Sequence, residues 1–339
     1  MGCLEASGPR PTGVARLVKF RRLLDSFADK RILVVGDLML DEYIVGKATR
    51  ISPEAPVMVV RQHRTYAVPG GAANVAKNIE ALGGRATVVG VVGEDAAGRE
   101  LQLALGEHGV LIPDPARPTT RKTRVLADTT HQVLRIDQES EDPLDPDMEE
   151  AVIAAVEERI RESNAILLSD YTKGVLTPAV VSSTIKAARE RDVPVVANAK
   201  PESLHYYSGA TLVSLNAREA AEAVGAKDIL RHNNGAGITD RPREAALQLQ
   251  RNHKIEHVLI TLGEYGMCTE AFWVSPRKVE VFDTAGAGDT TIATVALGIA
   301  SVGFDSLVFE LAAQTSAAVV SHVGVAVPSA DDLESIRLS

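Results

Sequence analysis

The stretch Asp283-Thr284-Ala285-Gly286-Ala287-Gly288-Asp289-Thr290 places two glycines and a carboxylate directly before an apolar run with helical character. Such a loop can turn its backbone N–H groups toward one point, and the positive end of the following helix dipole adds to their attraction for an anion. The segment Gly286-Ala287-Gly288 is therefore predicted to form an anion hole. Asp289 lies beside it, where a carboxylate suits a general base that accepts a proton from a hydroxyl group. The alternative is an ordinary strand-to-helix turn in which Asp289 only caps the helix.

A second glycine motif lies more than two hundred residues earlier in the chain. It reads Pro69-Gly70-Gly71-Ala72-Ala73-Asn74-Val75-Ala76-Lys77-Asn78-Ile79, with two glycines at the start of a helix of small residues. Gly70 and Gly71 allow a ligand to approach the backbone closely. Asn74 offers one amide donor group and one acceptor, which suit the hydroxyl groups of a sugar. The motif predicts that the N-terminus of this helix contributes to a sugar site.

The two motifs, in this order, resemble those of the ribokinase (PfkB) family of sugar kinases. In that family an early Gly-Gly and Asn element binds the sugar, and a late GAGD element carries the anion hole and the catalytic base. The resemblance extends from about Arg31 to Pro328. It implies a ribokinase-like, three-layer α/β/α fold with a mostly parallel central sheet and a small β lid. It also implies transfer of a phosphoryl group from ATP to a hydroxyl group, with Asp289 as the base.

Further segments resemble one branch of that family, the D-glycero-β-D-manno-heptose 7-phosphate kinases. These segments are Gly36-Asp37-Leu38-Met39-Leu40-Asp41-Glu42-Tyr43, Arg50-Ile51-Ser52-Pro53-Glu54-Ala55-Pro56-Val57, Lys122-Thr123-Arg124-Val125, Gln132-Val133-Leu134-Arg135-Ile136-Asp137 and Asp170-Tyr171-Thr172-Lys173-Gly174-Val175-Leu176. The branch implies phosphorylation of the anomeric hydroxyl of the heptose 7-phosphate, which gives the 1,7-bisphosphate used in nucleotide-heptose biosynthesis.

The resemblance also implies a set of substrate-binding residues. A sugar that already carries a phosphate needs cations, and Arg124, Arg135 and Lys173 are available for the 7-phosphate. Without the family, these three are basic residues that are solvated or paired at the surface. The predicted substrate site comprises Asp41, Gly70, Gly71, Asn74, Arg124, Arg135, Asp170 and Lys173.

Several short apolar runs, residues 165–169, 194–197, 210–214 and 257–261, are predicted to be successive strands of the central sheet. Ligands of an open parallel sheet bind at the carboxyl ends of its strands, where polar residues follow three of these runs. The family implies that they bind ATP, and the predicted nucleotide site comprises Asn198, Lys200, Asn216, Glu219, Thr261, Gly263 and Gly266.

Metal ions are implied at two places. Mg²⁺ is expected near Asn216 and Glu219, mostly through water, because magnesium keeps several waters when it binds with phosphates. For Glu219 alone, an acid in the first turn of a helix is the simpler interpretation. A monovalent cation, K⁺, is implied near Asp283 and Thr284.

Three segments depart from the heptose kinase pattern: Asn198-Ala199-Lys200 stands where Asp-Pro-Lys is usual, Leu262 replaces an arginine, and Ala285 replaces a threonine. Two alternatives therefore stay open. One is a ribokinase-type kinase for a ketose, a deoxy-sugar acid or a nucleoside. The other is a catalytically silent sugar-binding regulator on the same fold, against which the intact Asp289 argues.

Composition limits the remaining possibilities. The 339 residues allow one kinase domain at 29–335, with lid segments at about 38–68 and 118–137, preceded by an N-terminal extension at 1–28. A formal charge of −9 argues against nucleic acid as a partner. Two cysteines give no disulfide framework, and no apolar run is long enough to span a bilayer, so we expect a cytoplasmic protein.

Two expectations concern other polypeptide chains. An exposed strand of the lid would be a natural pairing edge, so we expect a homodimer. The sequence contains no HxGH-type motif of a nucleotidyltransferase. We therefore expect the kinase activity alone, with a separate nucleotidyltransferase acting downstream.

Overall fold

The computed structural model describes residues 13–128, 131–230, 240–322 and 326–338. Its strands are β1 (Arg31–Gly36), β2 (Leu38–Ile51), β3 (Met58–Gly71), β4 (Arg85–Gly93), β5 (Gly109–Asp114), β6 (Thr120–Ala127), β7 (His131–Gln138), β8 (Ala165–Ser169), β9 (Val195–Asn198), β10 (Leu212–Asn216), β11 (His257–Thr261), β12 (Met267–Thr269) and β13 (Trp273–Val274). Its helices are α1 (Gly13–Asp25), α2 (Ala72–Ala81), α3 (Ala96–Leu105), α4 (Pro146–Arg159), α5 (Pro178–Arg189), α6 (Ala217–Ala223), α7 (Arg241–His253), α8 (Ala287–Val302), α9 (Ser306–Val319) and α10 (Ala330–Leu338). None of these helices is long and apolar enough to cross a lipid bilayer.

Nine strands form the central sheet, in the order β13-β12-β11-β10-β9-β8-β1-β4-β5. Seven of them are parallel neighbours, and β12 and β13 complete one edge in antiparallel pairing. In β1, Ile32 and Val34 pack in one core with α2, α8 and α9, whereas Leu33 and Val35 pack in a second core with α4, α5 and α7. Burial on both faces explains why this strand is continuously apolar. The predicted three-layer fold is confirmed.

A second sheet of four strands, ordered β3-β2-β6-β7, corresponds to the predicted lid and is called the lid sheet below. Register gives one of its faces a polar character: Asp41 of β2 lies opposite Lys122 of β6, which lies opposite Asp137 of β7. Leu134 and Ile136 of β7 are on the other face, where they are more than half exposed. The alternation of residues along each strand therefore separates a charged face from an apolar one.

The N-terminal helix α1 packs onto the kinase domain. Residues 1–28 were predicted to be an extension, of which 1–12 lie outside the described residues. Phe20, Leu23, Leu24 and Phe27 are buried in the core that also contains residues of α9 and α10. The spacing of Phe20, Leu23 and Leu24 places them on one face of α1, and Phe27 follows the end of that helix. From Phe20 onward, the chain is part of the domain core.

The carboxyl ends of five adjacent strands, β11, β10, β9, β8 and β1, bring the predicted site residues to one edge of the central sheet. Thr261, Asn216 and Asn198 are the last residues of three of these strands. Asp170 directly follows β8, and Asp37 directly follows β1. Because β2 begins one residue after Asp37, the lid sheet also starts at this edge.

Candidate active site

Asp289 lies in the first turn of α8, but its carboxylate does not cap that helix. The N-cap residue is Gly286, which has the left-handed conformation with φ 83°. The Asn74 amide donates a hydrogen bond to Asp289 Oδ2 at 2.6 Å, and the Tyr171 hydroxyl donates to Oδ1 at 2.5 Å. The side chain is buried, with only 9% of the residue exposed. Asp289, Asn74 and Tyr171 are called the base pocket below.

The N-terminal turns of α2 and α8 meet at the base pocket. Thr290 Oγ1 donates to Asn78 Oδ1 at 2.6 Å, and Asn78 Nδ2 donates to the backbone oxygen of Asn74 at 2.9 Å. Asn78 is fully buried, so both halves of its amide need partners inside the protein. The first hydrogen bond joins α8 to α2, and the second continues within α2 to Asn74, which lies beside the carboxylate of Asp289.

The electrostatics of the base pocket favour a proton acceptor. Burial raises the pKa of Asp289, while the hydrogen bonds from Tyr171 and Asn74 act in the opposite direction and do not fully compensate. Burial and the charge of Asp289 raise the pKa of Tyr171 well above its usual value, so the phenol stays protonated and donates. A carboxylate whose pKa is raised toward the working pH is a more effective general base. Each oxygen retains lone pairs for a further hydroxyl group.

The glycine turn before Asp289 offers unpaired backbone donors. Within the described part of the chain, the N–H groups of Gly286 and Gly288 have no hydrogen-bond acceptor. The N–H of Ala287 is directed into the turn, toward the oxygen of Thr284 at 3.3 Å. A Cβ atom built on Gly288 would meet no atom within 4 Å, so the space beside it is open. The turn can therefore bind an anion through the N–H groups of its two glycines.

Gly70 and Gly71 are required by the packing of two aspartates. A Cβ atom on Gly70 would lie 2.2 Å from Asp41 Oδ2, and one on Gly71 would lie 2.4 Å from the backbone oxygen of Asp37. Gly71 also has φ 57°, a left-handed conformation that favours glycine. Asp41 itself is 5% exposed and forms an ion pair with Arg124. The structure thus brings these predicted sugar ligands together beside α2.

Asp170 is committed to contacts within the protein. Its Oδ2 accepts hydrogen bonds from Ser203 Oγ at 2.7 Å and from the Tyr207 hydroxyl at 2.9 Å, and its Oδ1 accepts from the N–H of Thr172 at 2.8 Å. The residue is 3% exposed. These contacts give Asp170 a structural role in shaping the loop that follows β8.

Asp37 holds the same loop from the other side. Its carboxylate accepts hydrogen bonds from the backbone N–H groups of Tyr171 at 2.7 Å, Lys173 at 3.1 Å and Val175 at 3.2 Å. Burial, and after it the charge of Asp170, raises the pKa of Asp37 to about 6. Three donors on one carboxylate fix the backbone of residues 171–175. Asp37 therefore positions Tyr171, and through it the base pocket.

The predicted phosphate-binding cations belong to a network of ion pairs at the charged face of the lid sheet. Lys173 contacts Glu139 at 2.9 Å and Glu141 at 2.7 Å. Lys122, which was not predicted as a site residue, contacts Glu139 at 2.8 Å and Asp137 at 3.3 Å. Lys122, Lys173 and Glu139 are called the lid cluster below. The half-exposed Arg135 also pairs with Asp137, at 2.9 Å.

The predicted nucleotide side is organised around Glu219, in the first turn of α6. Glu219 Oε1 accepts from Lys200 Nζ at 2.6 Å, and its Oε2 accepts from the N–H of Asn216 at 2.8 Å. Asn216 Oδ1 in turn accepts from the N–H of Glu219 at 2.9 Å, which completes a capping box. These contacts agree with the simpler interpretation of Glu219 as a first-turn helix acid. Because both oxygens have protein partners, the pair fits Mg²⁺ only through intervening water.

The remaining predicted ligands lie in turns at the same edge. Gly263 and Gly266 have φ 60° and 91°, and a Cβ atom on Gly266 would lie 2.1 Å from the backbone oxygen of Val274. Both glycines therefore serve the turn after β11. Asp283 Oδ1 accepts from the N–H of Ala285 at 2.9 Å, so the segment predicted to hold a monovalent cation is a tight turn before α8.

Sequence reasoning missed four residues of this site: Asp37, Lys122, Glu139 and Tyr171. Tyr171 and Asp37 had a usable signal, since each follows the end of a strand in a parallel sheet. Lys122 and Glu139 had a weaker signal. The contact between them depends on the register of β6 against β7, and the second contact of Glu139 depends on the loop that carries Lys173.

Curated proteins similar to this chain carry the name bifunctional protein HldE. The chain is 40% identical to HldE from Caulobacter vibrioides over 320 residues, which cover 91% of this chain and 63% of that protein. It is 45% identical to HldE from Pelobacter propionicus over 278 residues, which cover 79% of this chain and 55% of that protein. The chain therefore spans less than two thirds of the length of these relatives.

Solved structures with the same fold include phosphofructokinase-2 from Escherichia coli in complex with substrates and products. That structure has a TM-score of 0.71 at 20% identity and covers 91% of this chain and 98% of its own. Ribokinase from Arabidopsis thaliana complexed with ribose and ATP has a TM-score of 0.66 at 20% identity, with 91% and 98% coverage. Residues 29–332 match the pfkB family carbohydrate kinase. This chain belongs to the pfkB family of carbohydrate kinases.

Proposed function

We propose that this carbohydrate kinase transfers the γ-phosphoryl group of ATP to the anomeric hydroxyl of D-glycero-β-D-manno-heptose 7-phosphate and forms the 1,7-bisphosphate. The observation that carries the reaction is the buried carboxylate of Asp289 beside a glycine turn with unpaired N–H groups. The choice of heptose rests on the segments shared with that branch and on 40% identity to a protein named HldE.

The proposed mechanism assigns each group one task. Asp289 accepts the proton of the attacking hydroxyl, while Asn74 and Tyr171 hold the carboxylate in place. The N–H groups of Gly286 and Gly288 stabilise negative charge on the transferring phosphoryl group, which is usually the largest contribution in such reactions. Mg²⁺, when bound, supplies further positive charge at the phosphates, with Asn216 and Glu219 as ligands through water. A K⁺ ion near Asp283 and Thr284 remains part of the proposal.

The sugar would lie between the base pocket and the lid sheet. Asp41, Gly70, Gly71 and Asn74 adjoin this space, and Arg124 fixes the carboxylate of Asp41. The ring of Tyr43 in β2 stacks on that of Tyr66 in β3, with centroids 4.9 Å apart, and this contact joins the two strands.

ADP release from ATP and Mg²⁺ tests the proposal against five acceptors: the heptose 7-phosphate, fructose 6-phosphate, ribose, 2-keto-3-deoxygluconate and adenosine. We expect selective turnover of the heptose 7-phosphate by the wild-type chain. Asp289→Asn retains the shape of the side chain and removes the base, so turnover should fall by about a thousandfold or more while ATP still binds. Selective turnover of another acceptor would identify that compound, and not the heptose 7-phosphate, as the substrate. Binding without turnover would support a silent regulator.

We also propose a cytoplasmic homodimer whose product is used by a nucleotidyltransferase activity. The homodimer is supported by apolar side chains on the lid sheet, where Ile51, Leu134 and Ile136 are more than half exposed. Sedimentation equilibrium measures the association directly. Substitution of Leu134 and Ile136 by glutamate should produce monomers.

A further inference from the structure

The two carboxylate oxygens of Glu139 each bind a different lysine. Oε2 accepts from Lys122 Nζ at 2.8 Å, and Oε1 accepts from Lys173 Nζ at 2.9 Å. The two lysine side chains are only 16% and 11% exposed, and that of Glu139 is 21% exposed. Two ammonium groups that converge on one small anion also form a suitable site for a phosphate group, which offers three acceptor oxygens.

The two lysines are held more firmly than the glutamate. Lys122 is the third residue of β6, an inner strand that pairs with β2 on one side and β7 on the other. The backbone N–H of Lys173 donates to the Asp37 carboxylate, and the backbone oxygen of Lys173 accepts from the Arg117 guanidinium. Both distances are 3.1 Å. Glu139 lies beyond the end of β7, in a segment without helix or strand. A competing anion can therefore displace the glutamate while the two cations stay in place.

Two connections join the lid cluster to residues of the proposed sugar site. Lys173 is two residues from Tyr171, whose hydroxyl contacts Asp289. Lys122 lies on the same face of β6 as Arg124, which binds Asp41. The lid cluster is therefore linked to the base pocket through the loop of Tyr171 and to Asp41 through β6, which makes it the candidate contact for a substituent at the other end of the sugar.

Charge decides which substituent can enter. Burial opposes the ionisation of Glu139, but hydrogen bonds from Lys122 and Lys173 outweigh it and hold its pKa below the usual range. A neutral hydroxyl group is a poor replacement for a carboxylate that is bound by two cations, since Lys122 and Lys173 would then keep only Asp137 and Glu141 as counter-charges. A phosphate can replace it, because it carries at least the same charge and more acceptor atoms.

We propose that Lys122 and Lys173 form the subsite for the phosphate of an already phosphorylated sugar, and that Glu139 occupies this subsite until the substrate displaces it. This inference rests on the proposed function, because it assumes that Asp289 marks the reacting end of the sugar. Glu139 then acts as an internal competitor that excludes sugars without a phosphate.

Steady-state kinetics with the heptose 7-phosphate test the competition. Glu139→Gln should lower the KM for the sugar phosphate by about threefold, since it removes a competing, partly exposed ion pair. Lys122→Met and Lys173→Met should each raise that KM by about tenfold or more, because each removes a charged hydrogen bond to phosphate. The KM for ATP should stay constant in all three variants.

Glu141→Gln is the matched control, because it removes the same charge from the other partner of Lys173. The Glu141 side chain is 71% exposed, so its loss should change the KM for the sugar phosphate less than Glu139→Gln does. An unchanged or higher KM in Glu139→Gln would overturn the role of Glu139. An unchanged KM in Lys122→Met would overturn the subsite.

Thermal unfolding with inorganic phosphate as the probe separates this inference from the proposed function, since it needs no turnover. Phosphate should raise the unfolding temperature more in Glu139→Gln than in the wild type, and less in Lys122→Met. Equal responses in the three proteins would overturn the subsite. If the wild type does not phosphorylate the heptose 7-phosphate, the proposed function fails, yet the phosphate titration still decides whether the lid cluster binds phosphate.

Discussion

The base pocket and the lid cluster both surround a carboxylate, but they do so with different groups. In the base pocket, the two oxygens of Asp289 are bound by the neutral donors Asn74 and Tyr171, and the residue is 9% exposed. In the lid cluster, the two oxygens of Glu139 are bound by two lysines, and the glutamate side chain is 21% exposed. Burial raises the pKa of Asp289, whereas the lysines hold that of Glu139 low.

This difference is what one site needs if it contains the fixed base and the exchangeable anion that we propose. Burial gives Asp289 an increased affinity for a proton, and its two neutral donors offset that increase only in part. Cations instead stabilise the charged form of Glu139, and partial exposure allows water or another anion to replace it. Burial with neutral donors therefore suits proton transfer, and partly exposed ion pairs suit binding of a charged ligand.

The largest expected effect concerns Asp37, the buried carboxylate that positions the base pocket. Its pKa rises from 3.8 to about 6 on folding, so the folded protein binds the proton more tightly. Stability from this group is therefore greatest below about pH 4 and falls as the pH rises through about 6. Relative to Asp37→Asn, the wild type should lose about 3 kcal/mol of unfolding free energy between these pH values. Urea denaturation of both proteins across this range measures it.

The lid cluster provides the opposite case in the same experiment. Because the pKa of Glu139 is lowered on folding, its contribution to stability is present above its unfolded pKa and is lost as the pH falls. The difference between the wild type and Glu139→Gln should therefore grow with pH, while that for Asp37→Asn shrinks. Slopes of the same sign for both residues would contradict the contrast between the two regions.

Asn74→Asp converts the neutral partner of Asp289 into a second carboxylate of similar shape. Two carboxylates at hydrogen-bond distance cannot both be ionised readily, so the pKa of the pair should rise. We expect kcat/KM near neutral pH to fall by about a hundredfold, with partial recovery in alkaline buffer. A pH profile of kcat/KM is the measurement, with circular dichroism as the check on folding. Wild-type kinetics would remove Asp289 from the role of base.

Tyr171→Phe removes one donor from Asp289 without adding a charge. The pKa of Asp289 should rise, because the hydrogen bond from Tyr171 lowers it, and the acid limb of kcat/KM should move to higher pH. Activity below the limb would then fall about tenfold, the effect of losing one hydrogen bond to a charged group. Tyr207→Phe is the control, because that buried phenol donates to Asp170 at 2.9 Å instead. A limb that moves equally in both variants would show a general loss of packing.

The smallest expected effect is that of salt. Raising the ionic strength from about 0.05 M to about 0.5 M shortens the screening length, so partly exposed charges in the lid cluster attract phosphate less. We expect the KM for the sugar phosphate to rise about threefold, while the midpoint of the acid limb stays constant. A limb that moves with salt would indicate that the base pocket is open to solvent.

Much of the fold followed from local pattern. The strands that end at Ser169 and Thr261 were predicted from their apolar runs, because buried strands of a parallel sheet are continuously apolar. The start of the domain was harder to predict, since the burial of Phe20 and Phe27 depends on α9 and α10 at the other end of the chain.

The site was predictable only in part. The glycines of both motifs could be predicted from the sequence, because a left-handed turn or a close backbone contact needs glycine. The roles of Asp170 and Glu219 were harder to predict, since the sequence does not show which hydrogen-bond donors will surround a carboxylate. In the structure, Asp170 accepts from Ser203 and Tyr207, and Glu219 completes a capping box with Asn216.

The sequence alone determined the order of elements, the two glycine motifs and Asp289, because periodicity and special backbone conformations are local properties. Only the tertiary structure decided the partners of each charge. Tyr171 reaches Asp289 across 118 positions, and Lys122 and Lys173 reach Glu139 from two different elements. Strand register and helix packing set these distances. Hydrogen bonds and ion pairs require the donor–acceptor distance to be correct within a few tenths of an ångström, and no local pattern encodes that distance.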